Sequence, residues 1–99
     1  MSAKTIRVIA LFQAKPGKVD ELKALLTKFI EPTCTEEGCI TYELHQNPAD
    51  LNDLAFIEEW QSNETLDAHL KSKHILEAIP LVGELVTKSP DIRRYLKCD

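Results

Sequence analysis

Hydrophobic and polar positions alternate with two different periods along the chain, and this divides it into strands and helices. Residues 5–13, TIRVIALFQ, are rich in β-branched and aromatic side chains and predict a first strand. Residues 39–46, CITYELHQ, alternate with a period of two, which predicts a second strand. A third strand is predicted over residues 54–60. The loop that joins it to the second strand, residues 47–53, is short enough to predict an antiparallel hairpin.

Helical periodicity fills the intervals between these strands. Over residues 18–34 apolar side chains recur at helical spacing, namely Val19, Leu22, Leu25, Leu26, Phe29 and Ile30. A second helix is predicted to begin at a cap formed by Ser62 or Asn63. A further helical stretch is predicted over residues 73–86, disturbed at Pro80, and a last strand over residues 92–97.

The predicted order is therefore β-α-β-β-α-β. It is typical of a ferredoxin-like α+β fold, with a four-stranded antiparallel sheet and both helices on one face. We expect residues 1–99 to form one such domain. Three residues of the second strand, Ile40, Tyr42 and Leu44, are predicted to share a face. Since the first strand is apolar on both faces, we expect a second copy of the chain to cover the face that the helices leave open, giving a homodimer.

Composition and charge exclude several classes of partner. The net charge of −4 and the absence of any basic run longer than Arg93-Arg94 argue against nucleic acid and against an anionic membrane surface. The apolar run near the N-terminus is short, is interrupted by Arg7 and lacks a leader cleavage site, which predicts a cytoplasmic protein. The three cysteines have no framework spacing, so we expect structural or incidental roles for them.

The strongest candidate for chemistry is His69, with Trp60 and Glu58 nearby. His69 lies three residues after Leu66, on the helix side predicted to face the sheet, where an imidazole can act as a general base or pack in the core with one hydrogen bond. Trp60 ends the third strand and can form a pocket wall or fill the core. Glu58 shares its strand face, and periodicity leaves open which side of the sheet this is.

Metal and cofactor sites are not predicted. His74 lies five residues after His69, which is neither i+3 nor i+4, so two histidine ligands on one helix are disfavoured. A helix break near Ser72 would still bring both rings toward one cavity. No phosphate loop, nucleotide-binding glycine motif, nucleophile elbow or metal motif is present in the sequence.

Several short motifs together resemble the antibiotic biosynthesis monooxygenase domain, in particular the small bacterial quinol monooxygenases. They are the Pro16-Gly17 pair, the EEGC of residues 36–39 with YEL at residues 42–44, and the EEW of residues 58–60 followed by LDAHLKSKH. The similarity covers nearly the whole chain. It implies a dimeric ferredoxin-like fold with a cavity between sheet and helices, and in many members an oxygenase that uses no metal, flavin or haem.

The resemblance also assigns residues. The Glu-x-Trp of the family matches Glu58 and Trp60, and its helix histidine matches His69. A further family histidine, which precedes the third helix, matches His74. Haem-degrading relatives place an asparagine and a haem-ligating histidine where this chain has Ala10 and Ile79, so the iron ligand of those relatives is missing here.

The function expected from the sequence is cofactor-free oxygenation of a small phenol or quinol, with molecular oxygen as second substrate. We expect His69 to act as the base, Trp60 with Phe56 to form the wall, and His74, Tyr42 and Glu58 to make secondary polar contacts. Two alternatives stay open. One is a non-catalytic dimeric domain that binds a small apolar ligand. The other is an isomerase of a small signalling metabolite, which would need a cation such as Arg7 in the pocket.

Overall fold

The computed structural model describes residues 4–98. Residues 1–3 lie outside it, and they are part of the stretch on which the prediction of no leader depends. These described residues form four strands and four helical segments, in the order β1 (Ile6–Gln13), α1 (Val19–Thr27), α2 (Ile30–Cys34), β2 (Cys39–Asn47), β3 (Asp50–Trp60), α3 (Asn63–Leu70), α4 (Lys73–Leu85) and β4 (Asp91–Tyr95). The sheet order is β2-β3-β1-β4, and all neighbouring strands are antiparallel. This confirms the ferredoxin-like α+β prediction.

The hairpin between β2 and β3 is longer than the sequence predicted. Residues 50–53, expected in the loop, belong to β3, because Asn47 closes a tight turn. Its side-chain oxygen accepts a hydrogen bond from the backbone N–H of Ala49 at 2.8 Å, and its amide donates to Asp53 at 3.0 Å. An asparagine that bonds its own backbone in this way replaces a longer loop.

The shared face predicted for Ile40 and Tyr42 is wrong. The pairing of β2 with β3 shifts between Cys39 and Thr41, so an irregularity at Ile40 interrupts the alternation. Tyr42 is buried under the helices, whereas Ile40 is 45% exposed. Strict alternation fails at such a point because the extra residue leaves the ladder.

The single helix predicted over residues 18–34 is divided in two. α1 ends at Thr27, whose hydroxyl donates a hydrogen bond to the carbonyl of Lys23 at 2.7 Å, and α2 begins at Ile30. α3 is capped by Ser62, which forms a capping box with Thr65. α4 is continuous through Pro80, contrary to the predicted disturbance.

None of the helices among residues 4–98 is long and apolar enough to cross a membrane.

The core lies between the helices and one face of the sheet. It includes buried side chains of all three long strands and of α1, α3 and α4, namely Ile6, Val8, Ala10, Phe12, Leu22, Leu26, Tyr42, Leu54, Phe56, Trp60, Leu66, Ala78 and Val82. The opposite sheet face carries Ile9, Leu11 and Ile57, of which Ile57 is 44% exposed. The structure therefore leaves one partly apolar face of the sheet without helices.

A close approach at Gly38 fixes the loop that connects α2 to β2. Gly38 has a φ of 84°, and a Cβ there would lie 2.5 Å from the Cβ of Thr65 at the start of α3. Its carbonyl accepts a hydrogen bond from the N–H of Gln61 at 2.8 Å. Only glycine allows both this backbone conformation and this contact. The loop is thereby held against α3, which carries His69.

Candidate active site

A cavity of about 610 Å³ lies between the sheet and the helices. Its floor is formed by β1 and β3, its roof by α3 and α4, and its rim by residues 87–90, which precede β4. The lining is mostly apolar, and its polar side chains are Tyr42, Glu58, His69, Thr87, Lys88 and Ser89. Such a volume and lining suit a small, largely apolar molecule.

His69 lies on α3 with its ring buried against Trp60, at a centroid distance of 4.7 Å. Its Nδ1 lies 2.8 Å from Oε2 of Glu36. Because a carboxylate can only accept a hydrogen bond, Nδ1 carries the proton and Nε2 keeps its lone pair. Among residues 4–98 nothing hydrogen-bonds this Nε2, and His69 lines the cavity. The arrangement can therefore accept a proton from a bound molecule.

Burial keeps the His69 ring neutral. Desolvation lowers its pKa below the usual value, opposed by the hydrogen bond and the charge of Glu36, while the neighbouring His74 adds to the lowering. A neutral ring at neutral pH is the form that can act as a base. The carboxylate on Nδ1 would stabilise the imidazolium formed when Nε2 accepts a proton.

Glu36 was the functional candidate that sequence reasoning missed. It lies in the loop between α2 and β2, thirty-three residues before His69, and its carboxylate reaches both histidines. The second oxygen, Oε1, is 3.4 Å from Nε2 of His74 but makes no hydrogen bond, because that Nε2 bonds the hydroxyl of Thr33 at 2.9 Å. Glu36 is part of the EEGC motif of residues 36–39, but the sequence assigned no function to any residue of this motif.

Glu58 lies on the cavity side of the sheet, which settles the face that periodicity left open. It is 5% exposed, and the indole N–H of Trp60 donates a hydrogen bond to its Oε1 at 2.8 Å. Burial raises the pKa of Glu58, the hydrogen bond from Trp60 lowers it, and the charge of Glu36 raises it. The net result is a pKa of about 7. Trp60 therefore holds the carboxyl group of Glu58, the one that lines the cavity among residues 4–98.

Aromatic rings form one wall of the cavity. Tyr42 stacks on Phe56 at 4.3 Å, and Phe29 stacks on the same ring at 6.2 Å. Burial raises the pKa of Tyr42, so its hydroxyl keeps its proton. This hydroxyl is within hydrogen-bonding reach of Thr33, which links it to His74 and Glu36.

The structure brings together the six residues singled out from the sequence, in two layers. His69, Phe56, Tyr42 and Glu58 line the cavity. Trp60 and His74 do not line it; they lie behind it, in contact with the ring of His69 at 4.7 and 6.0 Å between centroids. Trp60 and His74 can thus orient groups that face the cavity, and Trp60 is not part of its wall.

The structure also locates Ala10, Ile79 and Arg7, which were named from the sequence. Ala10 and Ile79 line the cavity with apolar side chains, which offer no metal ligand. Arg7 lies on the opposite face of the sheet, where its guanidinium pairs with Glu59 at 3.5 Å. The cation in the lining is Lys88, at the rim.

A comparison with models of protein families identifies one family. The family model described as "Antibiotic biosynthesis monooxygenase" matches residues 5–81. The Mycobacterium tuberculosis protein "Putative monooxygenase Rv0793" is 40% identical over 83 residues, covering 84% of this chain and 81% of that protein. An uncharacterised Synechocystis protein, sll1783, is 32% identical over 90 residues, 91% of this chain, and the match spans 61% of that relative's length.

Solved structures have the same fold. A conserved protein from Methanosarcina mazei superimposes with a TM-score of 0.90 at 40% identity, covering 95% of this chain and 93% of that one. The structure of Rv0793 gives a TM-score of 0.89 at 34% identity, covering 96% of each chain.

The raised pKa of Glu58 gives a testable dependence of stability on pH. The folded protein binds this proton up to about pH 7, whereas the unfolded chain releases it near 4.5, so stability falls as pH rises through this window. Glu58→Gln keeps the acceptor for Trp60 and has no proton to lose. Urea titrations measure the free energy of unfolding of wild type and of this variant at each pH. We expect the wild-type value minus the variant value to fall by up to about 3 kcal/mol between pH 4.5 and 8.

Glu43→Gln is the matched control, since Glu43 is an exposed residue of the neighbouring strand β2. Its profile should run parallel to that of wild type. Parallel profiles for Glu58→Gln and wild type would contradict the assignment of the proton to Glu58.

Proposed function

Because the chain belongs to the antibiotic biosynthesis monooxygenase family, we propose that it is a cofactor-independent monooxygenase of small phenols or quinols. The observation that carries this proposal is the pairing of His69 with Glu36. The carboxylate holds the proton on Nδ1 and leaves a lone pair on Nε2 in a mostly apolar cavity. The substrates are one phenol or quinol and one molecule of oxygen.

The cavity fits a flat aromatic substrate. Its volume of about 610 Å³ is ample for a one- or two-ring molecule, and the stacked rings of Tyr42 and Phe56 offer a parallel surface. Glu58 can bond a substrate oxygen through Oε2, since Oε1 is held by Trp60. The apolar lining supports electron transfer to oxygen, because it keeps water away from the reactive anion.

In the first step, Nε2 of His69 accepts the proton of a substrate hydroxyl. The imidazolium that results is stabilised by the Glu36 carboxylate at 2.8 Å from Nδ1. The phenolate is electron-rich and gives one electron to oxygen, which forms a substrate radical and superoxide. This substrate-supplied electron is the reason why the proposed reaction needs no redox group in the protein.

In the second step, the two radicals combine to form a carbon–oxygen bond and a peroxide anion. This anion takes back the proton that His69 accepted in the first step, which leaves His69 neutral again. The carbon that bears the peroxide then loses its hydrogen to His69 as a proton, while the O–O bond breaks. The hydroxide that leaves takes this proton from His69 and becomes water. One oxygen atom enters the ring and the other becomes water. For a quinol the balance is quinol plus oxygen giving hydroxyquinone plus water.

The residues behind the cavity serve as positioning residues in this proposal. Trp60 packs on the His69 ring and bonds Glu58, so it sets the position of both polar groups. His74 lies 3.4 Å from the other oxygen of the Glu36 carboxylate, and its own position is held by a hydrogen bond with Thr33. We expect these residues to affect the reaction because they set the position of the His69 ring.

The two alternative functions have less support. An isomerase of a charged metabolite would need a cation deep in the pocket, but Arg7 pairs with Glu59 on the opposite face of the sheet. A non-catalytic binding domain gives no reason for a buried His–Glu pair with an open ring nitrogen. Saturable binding of a quinol without oxygen uptake would favour it.

We further propose a homodimer formed through the open face of the sheet. Ile57 at the centre of this face is 44% exposed, and Ile9 and Leu11 lie beside it on β1. We expect sedimentation equilibrium to give twice the mass of the chain. Ile57→Lys should shift the equilibrium to monomer, and a monomeric wild type at tens of micromolar (roughly the range in which stable dimers persist) would contradict the interface.

The base assignment predicts the effects of two substitutions on oxygen consumption. With menadiol under air, and autoxidation subtracted, His69→Ala should reduce kcat/KM by about 10²–10⁴-fold, the usual contribution of a general base. Glu36→Gln keeps a hydrogen-bond acceptor but loses the charge that stabilises the imidazolium, so we expect a smaller loss of about 10-fold or more.

His45→Ala is the control, because His45 is exposed on β2 and faces away from the cavity. It should match wild type. A rate for His69→Ala equal to that of wild type would refute the base assignment. Hydrogen peroxide in place of hydroxyquinone as the product would refute monooxygenation.

A further inference from the structure

One buried polar atom of the site has no hydrogen bond. Oε1 of Glu36 is shielded from solvent, and no donor in the described residues 4–98 bonds it. His74 Nε2 is the nearest candidate at 3.4 Å, but it already bonds Thr33. A buried carboxylate oxygen without a partner is costly and requires an explanation, such as an ion that binds there.

The surrounding atoms form a set of metal ligands. The carboxylate of Glu36, Nδ1 of His69 and Nε2 of His74 offer one ligand atom each, all within 4.8 Å of one another. Nδ1 of His69 lies 2.8 Å from Oε2 of Glu36, and Nε2 of His74 lies 3.4 Å from Oε1 of the same carboxylate. In a tetrahedral zinc site with bonds of about 2.1 Å, neighbouring ligands lie about 3.4 Å apart, so small side-chain movements suffice.

The fold produces this set although the histidine spacing disfavours it on one helix. α3 ends at Leu70, and the chain turns at Ser72, whose hydroxyl donates to the carbonyl of His69 at 2.6 Å. α4 then starts at Lys73, which turns His74 back toward Glu36. The break near Ser72, left open in the sequence analysis, is what joins the two histidines.

We propose that Glu36, His69 and His74 form a binding site for a divalent transition metal, with zinc the best match to two imidazoles and one carboxylate. A fourth position is left for water. The side chains of His74 and Glu36 are 26% and 20% exposed, so the ion reaches them from the protein surface.

The site has a consequence for catalysis, which rests on the proposed function. A metal bound to Nδ1 of His69 forces the ring proton onto Nε2, because a neutral imidazole has one N–H. Nε2 then has no lone pair for the substrate. The metal is thus an inhibitor that competes with the Glu36 hydrogen bond, and it is not the agent of oxygen chemistry.

The binding test uses untagged protein that has been dialysed against EDTA and then against chelator-free buffer. Calorimetric titration with zinc chloride should give one ion per chain, with affinity reduced about 100-fold or more in His74→Ala, since one of three ligands is lost. His45→Ala should bind like wild type. Cobalt(II) should give visible absorption bands without a thiolate charge-transfer band.

Nearby thiols require their own control, because Cys34 and Cys39 flank the loop that carries Glu36. The double variant Cys34→Ser/Cys39→Ser should retain zinc binding. Loss of binding in this variant, or equal affinities for His74→Ala and wild type, would overturn the proposed ligands.

The inhibitory role is tested separately from binding. One equivalent of zinc should slow quinol-dependent oxygen uptake by wild type, and EDTA should restore it. Stoichiometric binding without inhibition would overturn the inhibitory role. If wild type consumed no oxygen at all, the proposed function would fail, while the calorimetric result would still decide whether the metal site exists.

Discussion

The hydrogen bond between Glu36 and His69 is the interaction on which the site depends. It joins two parts of the chain thirty-three residues apart, the loop before β2 and the helix α3, at 2.8 Å. Without it the buried ring of His69 would have no partner for Nδ1 and no defined tautomer. The contact of Gly38 with Thr65 supports it, since it holds the Glu36 loop against the same helix. A backbone feature of one glycine thus contributes to the chemistry of a histidine.

The cavity and the core compete for the same space between sheet and helices. A chain of 99 residues has few side chains for a core, yet it leaves about 610 Å³ open. Stacked aromatic rings and fully buried Trp60 reinforce the wall. Polar groups that enter this region are held by specific partners, as Glu58 is by the indole N–H of Trp60. The same bonds that make their burial tolerable also orient them toward a ligand.

Periodicity predicted the order of strands and helices along the chain, the hairpin and the inward position of His69, because each depends on neighbours within a few residues. It failed where one residue leaves the ladder, at Ile40, and where one side chain shortens a loop, at Asn47. It could not identify Glu36, since no local pattern reports a contact made thirty-three residues away. For Trp60 the sequence predicted a position near the site, but the register of β3 against β1 and β2 was needed to place it behind the cavity.

The tautomer of His69 tests the central claim most directly. Long-range ¹H–¹⁵N correlation spectra of the metal-free protein distinguish a protonated Nδ1 from a protonated Nε2 in each of the three histidines. We predict that at neutral pH His69 is neutral with its proton on Nδ1, and that Glu36→Gln weakens this preference. A neutral His69 protonated on Nε2 in wild type would contradict the account, because the cavity would then face an N–H and not a base.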